Sequence, residues 1–171
     1  MTPLRRRLLL AAGATAAVAG AGVALWQGRS GAPERHPIYG RRFASIVGDD
    51  LQMAVFLGRP LLLNFWATWC PPCVREMPLL NAFHRDQVAQ GWQVVGLAID
   101  GLVPVREFLR RSPVDFPIGL AGFDGTALAR ELGNTQGGLP FSVHFDAQGR
   151  VRDRHLGELR QTDLLRWADG A

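Results

Sequence analysis

Residues 61–78 read Leu61-Leu62-Leu63-Asn64-Phe65-Trp66-Ala67-Thr68-Trp69-Cys70-Pro71-Pro72-Cys73-Val74-Arg75-Glu76-Met77-Pro78. An apolar run of strand length, 61–66, leads into the only two cysteines of the chain, spaced C-x-x-C with two prolines between them. From Val74 onward the residues read as helix, so the pair is expected where a buried strand ends and a helix begins. A thiolate at a helix N-terminus faces unpaired backbone N–H groups and the positive end of the helix dipole, which lowers its pKa. Cys70 comes first and is expected at the cap, as the attacking thiol. Cys73, one turn inside, is placed to resolve the mixed disulfide.

Two other uses of a C-x-x-C pair fit less well. A closed zinc site needs four ligands, and here no third cysteine exists; the four histidines, His36, His84, His144 and His155, are scattered. A purely structural disulfide closing so short a loop would constrain the unfolded chain little. Redox chemistry is the reading that remains.

Residues 66–73, Trp66-Ala67-Thr68-Trp69-Cys70-Pro71-Pro72-Cys73, resemble the active-site motif of thioredoxin-like proteins. More narrowly they resemble the TlpA-like, exported disulfide reductases, relatives of ResA and CcmG. Glu76 falls where that group carries a glutamate, and Pro78 where thioredoxins carry a helix-kinking proline. Gly138-Leu139-Pro140-Phe141 resembles the loop that holds the family's cis-proline, and residues 145–151 resemble the hairpin after it. The resemblance spans residues 38–169. It implies an α/β, thioredoxin-like fold, a central mixed β-sheet flanked by helices on both faces, over a domain of residues 38–171. It also implies thiol–disulfide exchange outside the cytoplasm with no cofactor beyond the redox-active pair Cys70 and Cys73. Trp69, Pro72, Leu139 and Pro140 are then the expected substrate contacts. The implied partners are protein disulfides or dithiols and an electron-donating membrane protein that re-reduces the pair. Apocytochrome c during cytochrome c biogenesis, another oxidoreductase and a copper-site assembly protein all stay open as clients. A monomer is the expectation.

Pro140 shows where statistics and resemblance part. Only ~5% of X-Pro bonds in folded proteins are cis, so chain statistics alone make Leu139–Pro140 trans. The resemblance implies cis, with the proline facing the disulfide. Its missing N–H leaves the backbone groups of the preceding residue free to pair with an extended substrate strand.

Glu76 lies three residues after Cys73, on the same helical face. A carboxylate there can accept the proton of the resolving thiol. The alternative is a solvated glutamate complementing the helix dipole, and the resemblance favours the first. Asn64 sits where thioredoxin itself has a buried aspartate, judged by alignment on the C-x-x-C. An amide cannot take up a proton, so that duty must lie elsewhere.

Composition bounds the rest. The chain has 171 residues and a net charge of +4, enough length for one domain plus an appendage. All the excess charge comes from Arg5, Arg6, Arg7 and Arg29; over residues 31–171, fifteen arginines balance fifteen acids. The basic balance is therefore no argument for nucleic-acid binding. Lysine is absent. Residues 1–30 read as a signal peptide or membrane anchor, with Arg5 to Arg7 ahead of an uncharged run at 8–26. Nineteen residues at helical rise just span a bilayer core, though Gly13, Thr15, Gly20 and Gly22 dilute the run. Ala17-Val18-Ala19 has the form of a signal-peptidase site, and the arginine cluster resembles a twin-arginine signal. Cleavage and retention both stay open, with retention favoured; either way the remainder is exported to the periplasm or its equivalent. Residues 31–37 read as a linker.

Along the domain, residues 38–59 are expected to form a short hairpin and a helical turn near Met53. Met77, Leu80 and Phe83 are the inward positions of the first helix, while Arg75, Arg85 and His84 read as solvated. Residues 92–99 read as a buried parallel strand, 104–111 as a helix with Pro104 at its start, 116–120 as a strand, and 126–132 as a helix closed by Gly133. Phe141, Val143 and Phe145 alternate with Ser142 and His144, a period-2 strand that leaves His144 on the surface or a sheet face. Residues 150–159 read as an antiparallel edge strand, and Thr162 as the cap of a last helix through Trp167.

Rival classes are weaker. A peroxiredoxin needs P-x-x-x-T-x-x-C, and the matching positions here are Leu63 and Ala67. A copper-delivery protein of this fold wants a wider cysteine spacing and a histidine ligand. A binding module that has lost the chemistry would be expected to lack a cysteine, and both are present.

Overall fold

The computed structural model describes residues 34–170; the expected signal or anchor at residues 1–30 lies outside them. Among the described residues no helix is long and apolar enough to cross a membrane. Seven strands form one sheet: β1 (Arg42–Ser45), β2 (Leu51–Gln52), β3 (Leu61–Trp66), β4 (Gln93–Ala98), β5 (Ile118–Leu120), β6 (Phe141–Phe145) and β7 (Val151–Leu156), in the order β2-β1-β5-β4-β3-β6-β7. β3, β4 and β5 run parallel, while β1, β6 and β7 pair antiparallel to their neighbours. Among the described residues four α-helices accompany them: α1 (Pro71–Gln87), α2 (Leu102–Arg111), α3 (Gly125–Glu131) and α4 (Gln161–Asp169).

Strand alternation sorts the core into two layers. Leu62 and Trp66 of β3 join Met77, Leu80 and Phe83 of α1, Phe108 of α2 and Trp167 of α4 on one face. Leu61, Leu63 and Phe65 join Val143 and Phe145 of β6 and Leu128 of α3 on the other. Both faces of the central strands are covered, so all six residues of β3 and all five of β6 are buried. The sheet is mixed and helix-flanked, as the resemblance implies.

Covering both faces also decides between the two places read for His144, the surface and a sheet face. It is not a surface residue: it is 3% exposed, its ring tilted against Trp92 at 4.8 Å and Trp167 at 5.6 Å. Period 2 places Ser142 and His144 on one face, but that face meets α1 and α4 rather than water.

Several boundaries move for local reasons. The first helix starts at Pro71, not Val74, because Cys70 caps it and two prolines in the first turn need no N–H partner. α2 starts at Leu102, with Pro104 still inside the first turn where N–H groups are free. β5 begins only at Ile118, since Pro117 cannot donate to the ladder. α3 runs from Gly125 to Glu131, and Gly133 just beyond it takes φ +106°, a left-handed conformation open to glycine. Thr162 does not cap α4. Arg160 holds that position, and its backbone N–H donates to the Asp163 carboxylate at 3.0 Å.

Candidate active site

Strand β3 delivers the cysteines to the rim of the sheet. Its last residue, Trp66, pairs with Ala98 of β4, and Phe65 pairs with Phe141, the first residue of β6. The end of β3 and the start of β6 therefore share one end of the sheet, which brings residues 67–73 and the Leu139–Pro140 loop to the same side. The Leu139–Pro140 bond is cis, as the resemblance implies. Leu139 is half-buried, and its N–H and C=O find no hydrogen-bond partner among the described residues. The Pro140 carbonyl, by contrast, accepts from Gly157 at 2.9 Å.

Cys70 is the N-cap of α1 in extended conformation, and its sulfur accepts the Cys73 N–H at 3.3 Å. The two cysteines are disulfide-bonded, with Cα atoms 5.3 Å apart. Cys70 keeps 4% exposure and Cys73 none. The first turn of α1 carries no acidic residue to oppose a thiolate there. On the rim, Trp69 is 65% exposed and Pro72 half-buried.

An anchor outside the motif stabilises this loop. Asp100, just past β4, accepts from the Thr68 N–H at 3.1 Å and hydroxyl at 2.5 Å, and its other oxygen accepts from the Gly101 N–H at 2.8 Å. Sequence reading passed over Asp100. The available signal was an aspartate directly after a buried parallel strand, at the carboxyl end where such folds place their sites.

Glu76, one turn beyond Cys73, is 1% exposed, so the solvated reading of this side chain fails. One carboxylate oxygen accepts from Asn64 Nδ2 at 2.7 Å and the other from the Leu159 N–H at 2.9 Å. Burial pushes its pKa up to about 7; the bonds from Leu159 and Asn64 pull the other way, and Glu158 adds a small upward push. A carboxylate that titrates near neutrality is suited to take and return a thiol proton. Arg75 turns outward to Glu158 at 2.7 Å, and Arg85 pairs with Asp115; both arginines are exposed, as expected.

The arrangement is thus a dithiol/disulfide at a helix N-terminus, with a buried carboxylate one turn away and an unpaired backbone segment beside a cis-proline on the same end of the sheet. It can exchange a disulfide with another molecule and move the associated proton. Comparison with known proteins agrees. The family model described as Redoxin matches residues 47–166. The chain is 29% identical over 118 residues to a thiol-disulfide oxidoreductase ResA of Bacillus cereus, covering 68% of this chain and 66% of that one. It is 37% identical over 114 residues to the thiol:disulfide interchange protein DsbE of Vibrio cholerae, covering 66% and 58%. The match thus spans about two thirds or less of these relatives' own length. Among solved structures, a thiol:disulfide interchange protein of the thioredoxin family from Chlorobium tepidum TLS superposes with TM-score 0.71 at 26% identity, covering 82% of this chain and 97% of that one.

Proposed function

The chain belongs to the Redoxin family, and from that premise we propose that it is a thiol–disulfide oxidoreductase that reduces protein disulfides outside the cytoplasm. The observation that carries this reading is the Cys70–Cys73 pair at the N-cap of α1, with buried Glu76 one turn on. In the reduced protein the Cys70 thiolate attacks one sulfur of a substrate disulfide. A mixed disulfide forms and one substrate thiolate leaves. Cys73, deprotonated by Glu76, then attacks the Cys70 sulfur and expels the second substrate thiolate. The substrate has gained two electrons, and the pair is left oxidised. An electron-donating membrane protein returns it to the dithiol.

Trp69 and Pro72 on one side and Leu139 and Pro140 on the other are the substrate contacts in this reading. An extended client segment pairs with the free backbone groups of Leu139 and lays its cysteine against Cys70. The protein works as a monomer on the far side of the cytoplasmic membrane, held there by residues 8–26 where these are retained.

Trapping tests the reading. In Cys73→Ala the mixed disulfide cannot be resolved, so a client should stay covalently attached through Cys70 and be released by dithiothreitol. Absence of any thiol-sensitive adduct, or an equal yield from Cys70→Ala, would overturn it.

A further inference from the structure

We propose that Asn64, braced by Ser142, is the positioning residue that sets how tightly Glu76 holds its proton, and through it the pH at which Cys73 becomes a thiolate. The proposal rests on reading Glu76 as the proton acceptor of Cys73. Asn64 lies on the face of β3 that α1 covers, together with Leu62 and Trp66, and it is fully buried. Its Nδ2 donates to Glu76 at 2.7 Å and to Ser142 Oγ at 3.0 Å. Ser142 pairs with Asn64 across the β3–β6 ladder and is itself fully buried, so its hydroxyl is a rigid second support for the amide.

The other end of the amide makes the arrangement informative. Asn64 Oδ1 is buried without a partner among the described residues. A buried acceptor left unpaired is costly. The amide is nonetheless held with both N–H groups committed and its nitrogen toward the carboxylate. Turned over, it would set oxygen against oxygen and repel the ionised form of Glu76.

Burial in the α1 layer alone would keep Glu76 protonated well above neutral pH. Two N–H donors oppose that. Leu159 supplies one from its backbone, which no side-chain substitution removes; Asn64 supplies the other. The surrounding charges are few. Glu158, on the turn after β7, favours the protonated form and is itself paired with Arg75 of α1. β3 and β6 contribute only the neutral Asn64 and Ser142 at this point. On α1 itself the remaining groups are Cys70 and Cys73. Among the described residues Asn64 is therefore the one side chain that donates to Glu76, and replacing it removes that donor without touching the thiols.

The test reads Glu76 directly. In the full-length oxidised protein, where no thiol titrates, the Glu76 carboxyl carbon is followed by NMR against pH. Asn64→Leu removes the donor at similar volume and should raise the Glu76 midpoint by about one pH unit, a tenfold change in proton affinity. Asn64→Asp, closer still in shape, keeps the test valid if the leucine variant does not fold. It sets a second carboxylate against Glu76 and should split the titration, with one midpoint displaced to higher pH. In the reduced variants, the pH profile of mixed-disulfide resolution should shift upward with the midpoint. An unmoved Glu76 midpoint in the variant that folds would overturn the proposal. A moved midpoint with an unmoved resolution profile would overturn the link to Cys73. A Glu76→Gln profile identical to wild type would instead sink the proton-acceptor reading on which the proposal rests.

Discussion

At the residue scale, Glu76 gives the sharpest expectation because its cause is burial. Its folded-state pKa, about 7, lies above the ordinary glutamate value. The folded protein thus binds this proton more tightly than the unfolded chain. Below the unfolded value both states are protonated and the stabilisation is complete; it is lost as pH rises toward 7 and stays lost above it. The shift corresponds to about 3 kcal/mol. Urea unfolding of Glu76→Gln should therefore show a stability difference between pH 4.5 and 8 that is smaller than wild type by about that amount. Parallel pH dependences would mean that Glu76 has the same pKa in the folded and unfolded protein. The two sulfurs differ more modestly. Cys70 sits at the cap with 4% exposure, and Cys73 is closed off entirely. Alkylation of the reduced protein, followed by mass spectrometry, should modify Cys70 much faster; equal rates would reverse the role assignment.

At the element scale, α4 tests whether its cap is identified correctly. Asp163 accepts from the Arg160 N–H at 3.0 Å, while Thr162 makes no capping bond. Asp163→Ala should destabilise the protein by about 1 kcal/mol, and Thr162→Ala by less than about 0.5 kcal/mol, in urea unfolding. The reverse order would restore threonine as the cap. The misreading has a plain physical origin. Threonine is a favoured capping residue, and nothing in local sequence shows that the chain stays extended until Arg160. The cysteine-bearing helix α1 was legible to within three residues, because the prolines and the C-x-x-C spacing both mark a helix entry. The burial of His144 was not, because an alternating pattern marks a face without saying what covers it.

At the scale of the whole molecule, the proposed export makes the chain's two ends opposite in location. In that proposal Arg5 to Arg7 stay cytoplasmic and everything after residue 26 crosses. A reporter that works only outside the cytoplasm, fused after Ala171, should be active. Activity confined to a cytoplasmic reporter at the same position would remove the export reading. The same long-range view explains why the site holds together. Thr68 is anchored by Asp100, 32 residues on, and Glu76 by Leu159, 83 residues on.

Those separations divide what the sequence determined by itself from what folding added. The cysteine pair, the strand before it and the helix after it are set by neighbours a few residues apart, so spacing and residue type were enough. The cis state of Pro140 came from resemblance, since bond statistics alone point the other way. Only the tertiary structure decided the environment of Glu76. Spacing placed it one turn from Cys73, yet burial, the bond to Asn64 and the bond to Leu159 depend on β3, β6 and the turn after β7 meeting at one point. A solvated and a buried carboxylate look the same in a chain of letters. The low-dielectric surroundings that separate them exist only once distant strands have paired and α1 has closed over them.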